Sequence, residues 1–131
     1  MAVPQKKNGW VDDPAGGRYY YINGEKATGM IEIDNKYYYF DSSGMVRNGL
    51  KNADGKYYWF GNAGEMLTGW RYIEGSTYYF GDDGAMLTGW REIDGNTYYF
   101  GSNGIRREGW QIIEGKDFYF DSRGRYISDM E

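Results

Sequence analysis

The chain has 131 residues, with 21 Gly, only 2 Pro and 20% aromatic residues, 15 of them Tyr. A net charge of −4 without a basic stripe argues against a nucleic-acid partner, and no apolar run reaches membrane-spanning length. The lack of His and Cys removes the commonest general base, the commonest metal ligand and all thiol chemistry.

Abundant Gly with little Pro points to many tight turns, and sparse helix formers beside abundant Tyr, Trp and Phe point to an all-β chain. Residues 1–8 read as a polar lead-in. From there Gly recurs at a period of twenty (Gly9, Gly29, Gly49, Gly69, Gly89, Gly109), each followed by a large apolar residue: Trp10, Met30, Leu50, Trp70, Trp90, Trp110. A second Gly series, from Gly24 to Gly124, keeps the same period. Such self-similarity is the mark of a repeat array. The units fall near 9–28, 29–48, 49–68, 69–88, 89–108 and 109–131, and form a single array over 9–131.

Taken in order, the units predict hairpins near 10–22, 30–41, 50–61, 70–81, 90–101 and 110–121. The first is atypical: its turn, DDPAGGR, is longer, and Tyr19, Tyr20 and Tyr21 are blurred against the register, as befits a terminal repeat. The second turns at Asp34-Asn35, the third at Asp54-Gly55, the fourth at Glu74-Gly75, the fifth at Asp94-Gly95 and the sixth at Glu114-Gly115. Asp-Gly favours a two-residue type I′ turn, because both central residues need positive φ. In the fifth unit this loop opposes Ile93 to Asn96, Glu92 to Thr97, Arg91 to Tyr98 and Trp90 to Tyr99. Alternation then gives two faces. Ile93, Tyr98 and Phe100 lie on an apolar face assigned to the core, with Ile73, Tyr78 and Phe80 as counterparts in the fourth unit. Trp90, Thr97 and Tyr99, with Glu92 beside them, form a mixed face assigned to a surface or groove. The linkers carry a Gly turn and an apolar residue or two, and Met45, Met66 and Met86 suit plugging gaps between hairpins. A lone hairpin is marginal in water, so each unit must lean on its neighbours, giving an all-β hairpin solenoid of about six 20-residue repeats.

The acidic turns, Asp82-Asp83-Gly84 for example, invite a calcium reading, yet no multi-carboxylate loop recurs to supply six converging oxygens, and solvated turn residues are the plainer account. No metal site and no cofactor are expected. Asp and Glu lie mostly in hairpin tips and linkers, and a regular array singles out no pair for hydrolysis, so no catalytic residue is assigned and an enzyme is not expected.

The stretch TGWRYIEGSTYYFGDDGAMLTGW resembles the cell-wall-binding repeat of Gram-positive surface proteins, a group that includes choline-binding modules, glucan-binding repeats of streptococcal glucosyltransferases and repetitive domains of clostridial toxins. The resemblance covers roughly residues 9 to 128. It implies a left-handed β-hairpin solenoid at the cell surface or outside the cell, this sequence then being a mature fragment without its signal peptide. Choline-binding repeats build a cage from the Gly-Trp indole, the first aromatic of the following block and an aromatic of the adjacent hairpin. Trp70, Trp90 and Trp110 here stand with Thr77, Thr97 and Asp117 in place of that second wall, while Tyr37 and Tyr57 supply it beside Met30 and Leu50. A cage that spans neighbours, such as Tyr57 with Trp70, is the remaining form.

The expected function is a non-catalytic module that binds a cell-wall polymer or glycan, choline-bearing teichoic acid or glucan, through aromatic sites between hairpins. The candidate ligand-binding residues are Tyr57, Trp59, Trp70, Tyr79, Trp90, Tyr99, Trp110 and Tyr119. Expected partners are cell-wall polymer, glycan or choline; the pattern sets no oligomeric state. The bland account of each indole is packing on the next hairpin, and the alternative function is a structural spacer or artificial repeat scaffold with no ligand of its own.

Overall fold

A computed structural model describes residues 3–128 of the chain. It divides into two compact units, Met1–Leu67 and Thr68–Glu131, parting at the junction of the third and fourth repeats. Every described strand pair is antiparallel, and no helix occurs among the described residues.

The first unit holds three small sheets of three strands each. They are β1 (Gly9–Asp12), β2 (Arg18–Ile22) and β3 (Glu25–Lys26); β4 (Gly29–Ile33), β5 (Lys36–Phe40) and β6 (Val46–Arg47); and β7 (Gly49–Ala53), β8 (Lys56–Phe60) and β9 (Met66–Leu67). The second unit holds the hairpins β10 (Gly69–Ile73) with β11 (Ser76–Phe80) and β12 (Gly89–Ile93) with β13 (Asn96–Phe100). Its third sheet joins β14 (Gly109–Ile113), β15 (Lys116–Phe120) and β16 (Tyr126–Ile127). The linkers therefore do more than plug gaps. They return as a short third strand, or as single bridges such as Phe80 to Met86 and Phe100 to Arg106.

The register expected for the fifth repeat holds throughout: Ile93 pairs with Asn96, Glu92 with Thr97, Arg91 with Tyr98 and Trp90 with Tyr99. Asp94 and Gly95 have φ of 51° and 83°, the two positive values of a type I′ turn. The first repeat reaches the same pairing by another route. Its β1–β2 connection is one residue longer, so Trp10 opposes Tyr20, and the tight Asn23-Gly24 turn into β3 gives that residue back. The period of twenty thus survives a changed loop.

Phe40 and Phe60 in the first unit and Phe80, Phe100 and Phe120 in the second are fully buried. Ile93 and Tyr98 are buried beside Phe100, as the face assignment expected, whereas Ile73 and Tyr78 are only half-buried. The opposite face is not simply a surface. Trp70 lays its ring against Tyr98 and Phe100 of the next hairpin, and Trp90 against Phe118 and Phe120 of the one after. In the first unit Trp10 does the same with Tyr38 and Phe40. One face of a hairpin is thus the roof of its own core and the other is the floor of its neighbour's.

Glycine locks these layers together. A Cβ on Gly104, at φ 83°, would collide with the side chain of Met86, one on Gly64 with Val46, and one on Gly124 with Arg106. Within each unit, Lys26 on Gly44, Val46 on Gly64, Met86 on Gly104 and Arg106 on Gly124, the residue two places past a turn Gly lies on the corresponding Gly of the following repeat.

The acidic turns are backbone caps. Asp41 accepts hydrogen bonds from the backbone N–H groups of Ser43 and Met45 and from the Arg47 guanidinium; Asp121 does the same with Arg123 and Arg125. The Ser43 hydroxyl and Arg47 hold the Asp41 carboxyl far below its ordinary value of 3.8. Burial pushes Asp121 up, but the Arg125 backbone N–H and guanidinium, with the Arg123 N–H, outweigh it and lower it overall.

Candidate functional site

The period of twenty brings the same side chains together repeatedly. In each cluster an indole meets the Tyr across its own hairpin and the first core-face ring of the next hairpin. Trp70 lies 4.9 Å from Tyr79 and 4.9 Å from Tyr98, both edge-on, with Phe100 at 5.9 Å. Trp90 lies 5.1 Å from Tyr99 and 4.9 Å from Phe118, with Phe120 at 5.6 Å. Trp10 lies 5.3 Å from Tyr20 and 4.9 Å from Tyr38, with Phe40 at 5.7 Å. Edge-to-face pairs at these separations are favourable beyond their burial, by about 0.5–1.5 kcal/mol each.

Half-burial leaves part of each ring for a ligand: Trp70 is 37% exposed and Trp90 39%. Trp110, whose ring neighbour is Tyr119 at 5.3 Å, is 63% exposed. Of the sequence candidates, the structure joins Trp70 with Tyr79, Trp90 with Tyr99 and Trp110 with Tyr119. Tyr57 and Trp59 share one face of β8; Tyr57 is exposed, and Trp59 is half-buried across from Leu50 and Leu67.

Sequence reasoning missed three parts of these clusters. Tyr98 lies on the face assigned to the core, yet it is a wall of the Trp70 cluster, as Phe118 is of the Trp90 cluster. The Trp10, Tyr20 and Tyr38 cluster was hidden by the one-residue offset of the first loop; counting from the turn instead of from the Gly series finds it. The third omission is a residue thirty-six places along from the indole: Arg106 over Trp70 and Tyr126 against Trp90, with Val46 packed on the same buried cluster as Trp10.

Cations belong to two of the clusters. The Arg18 guanidinium sits 4.1 Å from the Trp10 ring and that of Arg106 5.4 Å from Trp70. Arg106 is anchored by its backbone N–H, which donates to the Thr77 carbonyl at 2.8 Å. An open groove of about 380 Å³ lies here, lined by Trp70, Arg71, Tyr72, Thr77, Tyr98, Arg106 and Arg123. Thr77 lines this groove beside Trp70 and Tyr98.

Small antiparallel hairpins in phase, with recurring indole clusters at Trp10, Trp70 and Trp90, define a β-hairpin repeat protein. The chain belongs to the choline-binding repeat family, whose repeat matches residues 27–68, 47–88, 67–105 and 87–122. Among solved structures it is similar to choline binding protein F from Streptococcus pneumoniae, with 36% identity and a TM-score of 0.85 over 92% of this chain and 42% of that one. The same protein in the presence of a peptidoglycan analogue, a tetrasaccharide-pentapeptide, matches with 35% identity and a TM-score of 0.85 over 92% of this chain and 41% of that one. CbpJ from Streptococcus pneumoniae TIGR4 is 32% identical, with a TM-score of 0.86 over 92% of this chain and 42% of that one. An alternansucrase in complex with isomaltononaose is 29% identical, with a TM-score of 0.57 over 94% of this chain and 10% of that one. The chain thus spans about two fifths of choline binding protein F and of CbpJ. No curated protein matches it.

Proposed function

We propose that the chain is a non-catalytic module that attaches to a cell-wall polymer or glycan outside the cell, choline-bearing teichoic acid or glucan, through the aromatic clusters between hairpins. The observation that carries this reading is the recurrence of one cluster, indole, cross-strand Tyr and neighbouring ring, at Trp10, Trp70 and Trp90 with nearly equal spacings. Several equivalent weak sites on one chain suit a polymer, because the second contact forms at high effective concentration. Flat rings suit sugar faces, and a quaternary ammonium gains about 0.5–2 kcal/mol per ring from cation–π attraction. Family membership supports a choline-bearing ligand; the similarity to an alternansucrase in complex with isomaltononaose supports a glucan. Tyr57, Trp59, Trp70, Tyr79, Trp90, Tyr99, Trp110 and Tyr119 are the residues proposed to bind, with Trp10, Tyr20, Tyr38 and Tyr98 added by the geometry.

A second reading, a spacer without a ligand, draws on one observation: Arg106 and Tyr126 of the chain itself already pack with the Trp70 and Trp90 indoles. Retention on a choline-mimicking resin and on insoluble α-glucan separates the two. The attachment reading expects one matrix to hold the chain and free choline or isomaltotriose to release it. Passage through both columns at low salt would establish the spacer.

A further inference from the structure

We propose that the groove at Trp70 takes a phosphate-bearing sugar or polyol unit, with Arg71, Arg106 and Arg123 gripping the phosphate and Trp70 and Tyr98 supporting the ring. The assignment rests on reading the chain as a polymer-binding module and names the chemical unit that this one groove selects.

Three guanidinium groups line a groove of about 380 Å³, in a chain whose net charge is −4. No residue lining it is acidic among the described residues. Arg71 is held at its Nε, which donates to the Thr68 carbonyl at 3.1 Å. Arg106 is the centre of the arrangement. One terminal nitrogen lies 3.2 Å from Glu108, while its Nε is buried without a hydrogen-bond partner. That Nε is packed against Gly124, so a phosphate would be met by the terminal nitrogens of the three arginines through charge-assisted bonds. The planar fork of arginine matches phosphate geometry.

The position of Arg106 varies from repeat to repeat, with Lys26, Val46, Met66, Met86 and Tyr126 as its equivalents. The aliphatic stem of Arg106 lies on Gly124 just as Met86 lies on Gly104. Packing alone is therefore satisfied by a methionine. What arginine adds is a cation over an indole, where a quaternary ammonium would otherwise sit. Like charges at this distance repel, so the groove rejects choline and favours an anion. The matching groove of the first unit, about 320 Å³, is also lined by two arginines, Arg18 and Arg47. There each arginine has a carboxylate partner, Asp12 at 3.2 Å from Arg18 and Asp41 at 2.7 Å from Arg47, whereas at Trp70 only Arg106 has one, Glu108, and no ion pair holds Arg71 or Arg123 among the described residues.

The test follows the indole N–H signal of Trp70 by NMR on the full chain, assigned with Trp70→Phe, during titration with glucose 1-phosphate, glucose and choline. Glucose 1-phosphate is expected to shift this signal at concentrations where the other two do not, and added salt is expected to weaken it. Arg106→Met and Arg123→Gln should each weaken binding about tenfold or more, the worth of one charge-assisted hydrogen bond. Arg123 is on an exposed turn capped by its backbone, so its substitution spares the fold if Arg106→Met does not. Equal binding of glucose and glucose 1-phosphate would overturn the proposal, as would choline shifting Trp70 first, or unchanged affinity in the Arg123 variant. Failure of the attachment reading shows separately, as loss of polymer retention while Trp70 still responds to glucose 1-phosphate.

Discussion

Phe100 and Trp110 mark the range of what one aromatic residue contributes. Phe100 is fully enclosed beneath Trp70, so Phe100→Ala removes a ring and leaves a cavity; a loss of about 3–5 kcal/mol in urea unfolding is expected. Trp110 is 63% exposed, and Trp110→Ala should cost less than about 1 kcal/mol while lowering retention on whichever polymer matrix binds the chain. A comparable loss at the two positions would contradict the layered packing. The partners of Phe100 were only half legible in the sequence. Alternation from the Asp94-Gly95 turn identifies its face, because a two-residue loop fixes the register by itself. The same alternation says nothing of what lies across that face. Trp70 is thirty residues away, and only the stacking of one hairpin on the next makes it the floor of the Phe100 core. Arg106 was illegible for the same reason: it belongs to the fifth repeat by sequence and to the Trp70 cluster of the fourth in space.

At the scale of the element, the hairpin tips and the linker turns are built differently and should fail differently. The tips need positive φ at two positions, and the sequence announces this through Asp54-Gly55 or Asp94-Gly95. The linker turns at Asp41 and Asp121 instead hold their backbone with a carboxylate, whose affinity for protons is lowered in the fold. The folded state thus binds these protons less readily than the unfolded chain. Their stabilisation is complete above the ordinary carboxylate value of 3.8 and is lost as pH falls through the lower folded values. Midpoints of thermal unfolding should therefore drop below about pH 4. Asp121→Asn should flatten the drop, keeping an acceptor for the turn without the titration. A variant whose acid sensitivity equals that of the parent would place the effect elsewhere. Gly104 tests the locking of layers at the same scale. Gly104→Ala meets both a left-handed backbone, which Ala disfavours, and the sulfur of Met86. It should cost more than Gly95→Ala, where φ is equally positive and nothing stands in the way of a methyl group.

Over the whole molecule, stability comes from neighbour on neighbour within each unit, and removal of a complete repeat is the sharpest check of that arrangement. Deleting residues 89–108 cuts the second unit from three hairpins to two, joining Thr88 directly to Gly109. Because the period is an unbroken twenty, the substitution of neighbours is nearly like for like. Trp70 would meet Phe118 and Phe120 where it had met Tyr98 and Phe100, and Met86 would lie on Gly124 where it had lain on Gly104. What disappears is one layer, the Trp90 junction with Phe118 and Phe120, and with it one fully buried Phe. The shortened chain should keep its β signal by circular dichroism and unfold at a lower urea concentration, since a repeat array loses stability roughly by the layer. Its polymer retention should fall more steeply than its stability, because avidity multiplies the contributions of sites that interface energies only add. Collapse to an unfolded chain on this one deletion would mean that the unit depends on a single closed core and not on its successive junctions.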